Sequence, residues 1–226
     1  MNGVLCGPER KRALTDMIDG KPPQQNPFVV SICAPSSAGK SQLAKALVQV
    51  LGEEIAARVP VDYFFVPRPE GMSIGQFLAT PLQWDWPLLA ARLALPTGTF
   101  TSTPNADFEA FRRRGDDGGL SFTIRPVMIC DAMAPYPESD LVVMLEVPDD
   151  VRRTRLADRD RRWGTGVAGR WQHLEVTWHY APKGLHPDLV LDGTAPLATT
   201  ASRLGQEIQA VRAGRVSTIE GEEANR

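Results

Sequence analysis

The segment from residue 34 to residue 41, which reads Ala-Pro-Ser-Ser-Ala-Gly-Lys-Ser, is the part of the sequence best suited to binding phosphate. It follows the pattern G-x-x-x-x-G-K-[ST], with Ala34 in the first glycine position. In such a loop, successive backbone N–H groups and the N-terminus of the following helix point into one concavity and stabilise negative charge there. The alternative is a β-to-α turn, rich in small residues, that binds nothing. We predict a triphosphate site made of Pro35, Ser36, Ser37, Ala38, Gly39, Lys40 and Ser41.

Two side chains of this loop and one aspartate further along the chain suit a metal-dependent nucleotide site. Lys40 is expected to reach the β- and γ-phosphates, and the Ser41 hydroxyl is expected to ligate Mg²⁺. The apolar run "PVMIC" leads into Asp131, which has the position of a Walker-B carboxylate and is expected to act on Mg²⁺ through water. Alternatively, Asp131 caps the next turn.

A second strand-end carboxylate is a candidate general base. Asp62 ends an apolar stretch in what we predict to be the second strand, and adjacent strand ends would place it near the phosphate loop. A carboxylate there can accept the proton of an attacking hydroxyl while a γ-phosphoryl group moves. The alternative is an aspartate that serves a turn or an N-cap.

The elements that must position these residues alternate between β-like and helical patterns. Strands are predicted at "FVVSIC", "VPVDYFF", "PVMICDAM", "LVVMLEV" and "DLVLD". Helices are predicted at "SQLAKALVQVLGEEIAAR", "WPLLAARLAL", "DDVRRTRLADRDRRW", near "GRWQHLEVTWHYA", and from about Pro196. This alternation indicates an α/β fold with a parallel sheet and helices on both faces.

Length and composition favour one globular domain. The chain has 226 residues, a net charge of −2 and three cysteines without metal-like spacing. With a sequence pI near 6.0, it has no global charge that favours nucleic acid, and no apolar run reaches the length of a membrane span. We therefore expect a cytoplasmic protein with no nucleic-acid or membrane partner, and we leave a homo-oligomer open.

The predicted organisation has a core domain and two appendages. Residues 1–27 read as a helical and proline-rich lead, residues 28–213 as the domain, and residues 214–226 as a disordered tail. Within the domain, the run from Thr97 to Arg125 fits a lid, a hairpin or a mobile loop.

The order of these segments resembles the uridine kinase and phosphoribulokinase superfamily over about residues 28–192. The resemblance rests on the P-loop, "VDYFF" followed by a proline, "WDWP" at 84–87, the Walker-B strand, the arginine-rich helix and the late strand "DLVLD". It implies a P-loop NTPase fold of the nucleoside and nucleotide kinase type, with a helical, Arg-rich lid at about residues 152–180.

The resemblance also implies a reaction, the ATP- and Mg²⁺-dependent transfer of a phosphoryl group to a hydroxyl of a nucleoside-, sugar- or vitamin-like molecule. It makes Asp62 the base and places Lys40 and Arg159 on the transferring charge, with Arg155 and Arg159 at the nucleotide. Asp85 and Trp86, which replaces a family histidine, are implied substrate contacts. Alternatively, Trp86 packs in the core with its neighbour Trp84.

Two other functions fit parts of the sequence. "SSAGKS" is similar to the P-loop of chloramphenicol phosphotransferase, which keeps an antibiotic phosphotransferase open. A P-loop regulatory module without kinase activity is the other alternative. A GTPase switch is disfavoured, because the sequence contains no [NT]-K-x-D element to read guanine.

Overall fold

The computed structural model describes residues 26–78, 80, 83–163 and 186–223. In chain order, the elements are β1 (Phe28–Cys33), α1 (Lys40–Leu51), β2 (Ala56–Pro60), a 3-10 helix (Val61–Phe64), α2 (Ile74–Leu78), α3 (Trp86–Leu93), β3 (Phe100–Asp107), β4 (Arg112–Thr123), β5 (Val127–Ala132), β6 (Leu141–Glu146), α4 (Asp149–Trp163), β7 (Leu189–Asp192) and α5 (Leu197–Glu223). Among the described helices, none has the length and apolar character needed to cross a bilayer.

Five parallel strands form the central sheet in the order β2-β5-β1-β6-β7, which confirms the predicted α/β fold. Strands β1 and β5 are buried along their whole length. Both faces of the sheet are covered, so these inner strands read as continuous apolar runs without the alternation of a half-exposed strand. Their carboxyl ends, at Cys33 and Ala132, pair with each other and bring the two following segments together.

Helix α1 covers one face of the sheet together with α5. Its apolar positions recur at helical spacing, and Leu43, Ala44 and Leu47 are buried against the sheet. The helix ends at Gly52, whose φ of 92° suits a residue without a side chain. Apolar packing of α1 against the sheet therefore fixes the start of the helix, which is joined to β1 by the loop 34–39.

The opposite face is covered by the 3-10 helix, α3 and the end of β4. Phe64, Leu89 and Ile124 are fully buried there. Strands β3 and β4 form an antiparallel hairpin, so the run from Thr97 to Arg125 contains a hairpin. The hairpin lies beside the 3-10 helix that carries Asp62.

The second strand is shorter than the sequence pattern predicts. β2 ends at Pro60, and residues 61–64 form a 3-10 turn in place of the strand expected through "VDYFF". Proline has no N–H to continue the ladder, so the strand ends there. β2 also pairs with β5 and not with β1, so Asp62 does not follow the strand adjacent to the P-loop strand.

Helix α5 spans Leu197–Glu223 and so extends past residue 213, where the sequence analysis ends the domain. The segment contains no proline to stop it. Residues 1–25 of the predicted lead (1–27), residues 164–180 of the predicted lid, and the helix predicted near residues 169–181 lie outside the described residues.

Candidate active site

The phosphate loop joins the end of β1 to the start of α1, as the sequence predicts. Ser37 and Gly39 adopt positive φ angles, of 63° and 104°, whereas Ala34 does not. An alanine is therefore tolerated in the first position of the motif, since the left-handed conformations fall on later residues. Ser37 holds a conformation that costs a non-glycine residue about 1–2 kcal/mol, which is typical of functional loops.

Lys40 lies inside this loop and is nearly buried, with 7% of its surface exposed. Its Nζ donates a hydrogen bond of 3.2 Å to the carbonyl oxygen of Pro35, within the loop itself. Burial lowers the pKa of Lys40, and the nearby carboxylates of Asp62 and Asp131 oppose that shift. A phosphate group in the loop would supply the negative charge that the buried ammonium lacks.

Asp131 lies beside the start of α1, at the neighbouring strand end. The Ser41 hydroxyl donates a 2.5 Å hydrogen bond to Oδ2 of Asp131, and Arg58 reaches the same carboxylate with its Nε and Nη2. Asp131 is 2% exposed. The two predicted metal residues, Ser41 and Asp131, are therefore brought together, and Arg58 is a third member that the sequence analysis did not identify.

These side chains fit the nucleotide and metal that the fold implies. The Ser37 Oγ is buried without a hydrogen-bond partner, as expected for a group that awaits an acceptor such as a phosphate oxygen. Ser41 and Asp131 offer hard oxygen ligands, and Mg²⁺ usually keeps several waters beside one or two protein ligands. In the described residues, no group of three or more His, Cys, Asp or Glu side chains could hold a metal.

Asp62 lies in the 3-10 helix, two residues after Pro60. Pro60, the last residue of β2, is the strand-register partner of Asp131 in β5. Burial raises the pKa of the Asp62 carboxyl, and the charge of Asp131 adds to the rise, while the cations Lys40, Arg58 and Arg159 oppose it. Asp62, Asp131 and Lys40 therefore belong to one electrostatic cluster. A carboxylate whose pKa is raised toward neutrality is a better proton acceptor than a solvated one.

The raised pKa of Asp62 predicts a pH-dependent effect of Asp62→Asn on stability. The folded carboxyl binds its proton more tightly than the unfolded one, so its stabilising contribution is present in acid, below the unfolded pKa near 4, and is lost as the pH rises through the folded pKa. Asparagine is neutral throughout. We expect Asp62→Asn to melt at a higher temperature than the wild type at pH 8 and at a similar temperature at pH 4.

Differential scanning fluorimetry at both pH values measures this effect. The control is Asp117→Asn in the β3–β4 hairpin, because Asp117 is exposed. An equal shift at pH 4 and pH 8 would contradict a destabilising charge at position 62.

Helix α4 places three arginines near the phosphate loop. The buried Arg152 donates through Nη1 to the carbonyl of Ser36 and through Nη2 to Asp149. Arg155 donates to the carbonyls of Ala38 and Gly193, at 3.2 and 3.1 Å. Arg159 acts electrostatically on both Lys40 and Asp62. Arg155 and Arg159 thus lie at the predicted site, and Arg152, which the sequence analysis did not assign to it, contacts the loop directly.

A cavity of about 240 Å³ lies beside the loop, on the side of β7. Arg155 is at its edge and holds the phosphate loop to the segment after β7 through Ala38 and Gly193. The other lining residues are mostly small or apolar: Ala38, Gly39, Gln42, Leu43, Leu145, Asp192, Gly193, Ala195, Leu197 and Thr200. Such a cavity next to a phosphate loop suits a planar ring attached to the phosphates.

Gly193→Ala is expected to destabilise the wall of this cavity. A Cβ at position 193 would lie 2.4 Å from Cγ2 of Val147 and 3.2 Å from the carbonyl oxygen of Ala38, so the segment after β7 must move away from the loop. Overpacking of this kind costs about 1–3 kcal/mol. We expect a lower denaturant midpoint and weaker ATP binding.

The control for this prediction is Gly214→Ala. A Cβ at that helical position meets nothing within 4 Å, so the substitution is expected to be neutral or slightly stabilising. If Gly193→Ala is as stable as Gly214→Ala, the contacts of position 193 with Val147 and Ala38 have room for a methyl group, and the prediction is wrong.

Both carboxylate oxygens of Asp85 accept hydrogen bonds from other residues of the chain. Oδ1 accepts from the N–H of Leu88 and caps α3, and Oδ2 pairs at 3.0 Å with Arg113, which also donates to the carbonyl of Phe64. The Arg113 side chain is 8% exposed, whereas Arg114 is 72% exposed. Only the middle arginine of the run 112–114 points inward, because side chains alternate along β4.

Aromatic residues pack around the segment that carries Asp62. Trp86 stacks on Trp84 at 5.6 Å and meets the edge of Tyr136; Trp84 is buried, and Trp86 is partly exposed. Tyr63 meets Phe108 of the hairpin at 4.9 Å. The hairpin therefore reaches the residue next to Asp62, a contact between distant parts of the chain that no local pattern indicated.

Comparison with known proteins supports the fold. No protein-family model matches the sequence, and no curated protein sequence is significantly similar to it. Among solved structures, a candidate fructose transport system kinase from Silicibacter sp. TM1040 superposes with a TM-score of 0.53 at 21% identity, over 80% of this chain and 98% of that one.

Two further structures superpose less closely. A possible uridine kinase from Bacillus stearothermophilus has a TM-score of 0.47 at 18% identity, over 81% of this chain and 99% of that one. A gluconokinase from Sinorhizobium meliloti 1021 has a TM-score of 0.44 at 18% identity, over 82% and 97%. With its parallel sheet and its loop between β1 and α1, the chain has the fold of the P-loop small-molecule kinases.

Proposed function

We propose that the protein is an ATP- and Mg²⁺-dependent phosphotransferase that moves the γ-phosphoryl group to a hydroxyl of a small molecule. One observation carries this proposal: at the carboxyl edge of the sheet, Ser41 of the phosphate loop donates to Asp131 at the end of the neighbouring strand, and Lys40 and Asp62 interact electrostatically with the same carboxylate. Ligands of open α/β sheets bind at this edge.

The nucleotide is held by the loop, by α4 and by the cavity. Backbone N–H groups of residues 36–41 and the start of α1 receive the phosphates, and the Ser37 hydroxyl is available to donate to them. Arg155 and the apolar wall of the cavity position the nucleobase of ATP. Bound Mg²⁺, held by Ser41 and, through water, by Asp131, would neutralise phosphate charge.

In this proposal Asp62 and the cations perform the transfer. The acceptor oxygen forms a bond to the γ-phosphorus as the bond to the oxygen bridging the β- and γ-phosphates breaks, and the hydroxyl proton passes to Asp62. Lys40 and Arg159 stabilise the negative charge on the moving group. ADP and a phosphate monoester leave.

The acceptor is expected between Asp62 and the β3–β4 hairpin. Tyr63, next to Asp62, packs on Phe108 of the hairpin, so aromatic surface from both segments would lie beside the acceptor. Because Asp85 is engaged by the α3 N-terminus and by Arg113, we assign it to shaping this region, and direct hydroxyl binding by Asp85 would require Arg113 to be displaced. The specificity of the reaction thus depends on the hairpin.

The experiment that tests this function measures ATP consumption in Mg²⁺ against nucleosides, sugars, vitamins, and aminoglycoside and phenicol alcohols. Products are detected by mass. One acceptor that gains a single phosphoryl group would establish the reaction and decide between a metabolite kinase and an antibiotic phosphotransferase. ATP binding without consumption on any acceptor would instead favour a regulatory nucleotide-binding module.

A further inference from the structure

Arg58 forms the most complete ion pair in the described part of the site. Its Nε donates to Oδ1 of Asp131 at 2.7 Å, and its Nη2 donates to Oδ2 at 2.9 Å. Such a two-pronged contact fixes the carboxylate in one orientation. The Ser41 hydroxyl adds a third hydrogen bond, to Oδ2, at 2.5 Å. Both oxygens of Asp131 are therefore occupied by this chain's own side chains.

The pair places a cation directly against a buried carboxylate. The Asp131 side chain is 2% exposed and that of Arg58 is 22% exposed. The guanidinium of Arg58 therefore supplies a full positive charge and two parallel donors to this carboxylate. A buried carboxylate without such a partner is strongly destabilising.

We propose that Arg58 is a positioning residue that orients Asp131 toward Ser41 and competes with Mg²⁺ for it. This inference rests on the proposed function of the site. A hydrated divalent cation at Asp131 lies a few ångströms from the positive charge of Arg58, and for its water to donate to Oδ2, either the Arg58 or the Ser41 hydrogen bond to that oxygen must loosen. The site is therefore stable without metal, and metal loading is made weaker by a residue that does not itself bind metal or substrate.

Arg58→Gln tests the charge, because glutamine can still donate one hydrogen bond to Asp131. Full-length protein is melted in EDTA and then in a titration of free Mg²⁺ at saturating ADP. We expect Arg58→Gln to melt below the wild type in EDTA, and its half-saturating free Mg²⁺ concentration to fall by about ten-fold. Arg58→Lys, which keeps the charge and loses the fork, is expected to keep a midpoint near that of the wild type.

Lys45→Gln is the matched control, because Lys45 is an exposed residue of α1 outside the site. It should leave the melting temperature in EDTA and the Mg²⁺ midpoint unchanged. The double variant Arg58→Gln/Asp131→Asn removes both charges and should recover much of the stability that Arg58→Gln loses. If Arg58→Gln does not fold, recovery of folding in the double variant supports the inference, and failure of both overturns it.

The outcomes also separate this inference from the proposed function. If the wild type responds to ADP and Mg²⁺ while Arg58→Gln has the same midpoint, the competition is overturned and the nucleotide site stands. A midpoint for Arg58→Lys that falls as far as that for Arg58→Gln would also overturn it, since charge would then not matter. If the wild type responds to neither ADP nor Mg²⁺ at any concentration, the proposed function fails as well.

Discussion

Asp62→Asn is expected to lower the turnover of the acceptor-dependent reaction by about 10²–10⁴-fold, the usual range for loss of a general base. Asparagine keeps the size and hydrogen-bonding capacity of the side chain, and it cannot take the hydroxyl proton. ATP affinity should remain near that of the wild type, because Asp62 is a negative group that makes no attractive contact with phosphate. The measurement is kcat with saturating ATP and acceptor, beside the Kd for ATP from calorimetry.

The raised pKa of Asp62 adds a second readout for the same residue. The wild-type rate should fall as the pH falls through that raised value, because the base becomes protonated. The residual rate of Asp62→Asn should lack this acid limb. Asp117→Asn, on the exposed hairpin, should retain full turnover. Turnover of Asp62→Asn within ten-fold of the wild type would remove Asp62 from the base role.

Lys40→Ala is expected to lower kcat/KM for ATP by about 10²–10³-fold or more, the range for loss of one preorganised electrostatic donor. The ammonium is held inside the loop by burial and by the Pro35 carbonyl, so it is already aimed at the phosphate position. ATP binding should weaken as well, because the lysine interacts with the phosphates of the bound nucleotide. Calorimetry and steady-state kinetics measure the two effects separately.

A stability measurement distinguishes this loss from misfolding. Burial lowers the pKa of Lys40, so the charged form is held at a cost to the folded protein. Lys40→Met, which keeps the apolar stem, should therefore melt at or above the wild-type temperature while remaining inactive. Lys45→Met, on the exposed side of the same helix, should bind and use ATP normally. An active Lys40→Met variant would mean that the loop does not serve phosphate transfer.

The phosphate loop could be predicted from the sequence because all of its parts are local. A buried strand, a six-residue loop and a helix are contiguous between Phe28 and Leu51, so pattern and spacing contain the geometry. The pattern did not indicate which residues adopt positive φ. The structure places this conformation on Ser37 and Gly39, and leaves Ala34 unstrained.

The sequence could predict that a strand-end carboxylate lies near the phosphate loop, but it could not predict the specific contact between Ser41 and Asp131. Parallel strands end at one edge of a sheet, so a strand-end carboxylate could be expected near the loop. Strand order then decided the actual neighbours. β5 lies between β2 and β1, which places Asp131 beside the loop and Asp62 one strand further away, on a 3-10 turn.

By itself, the sequence determined the α/β class, the position of the phosphate loop and the candidate carboxylates, since periodicity and motif spacing are properties of short contiguous segments. Only the tertiary structure decided that Arg58 pairs with Asp131, that Arg113 occupies Asp85 and that the hairpin brings Phe108 to Tyr63. Arg58 and Asp131 are 73 residues apart in the sequence, and Asp85 and Arg113 are 28 residues apart. Contacts over such separations depend on strand order and side-chain direction, which arise from packing both faces of the sheet and have no signature in local sequence.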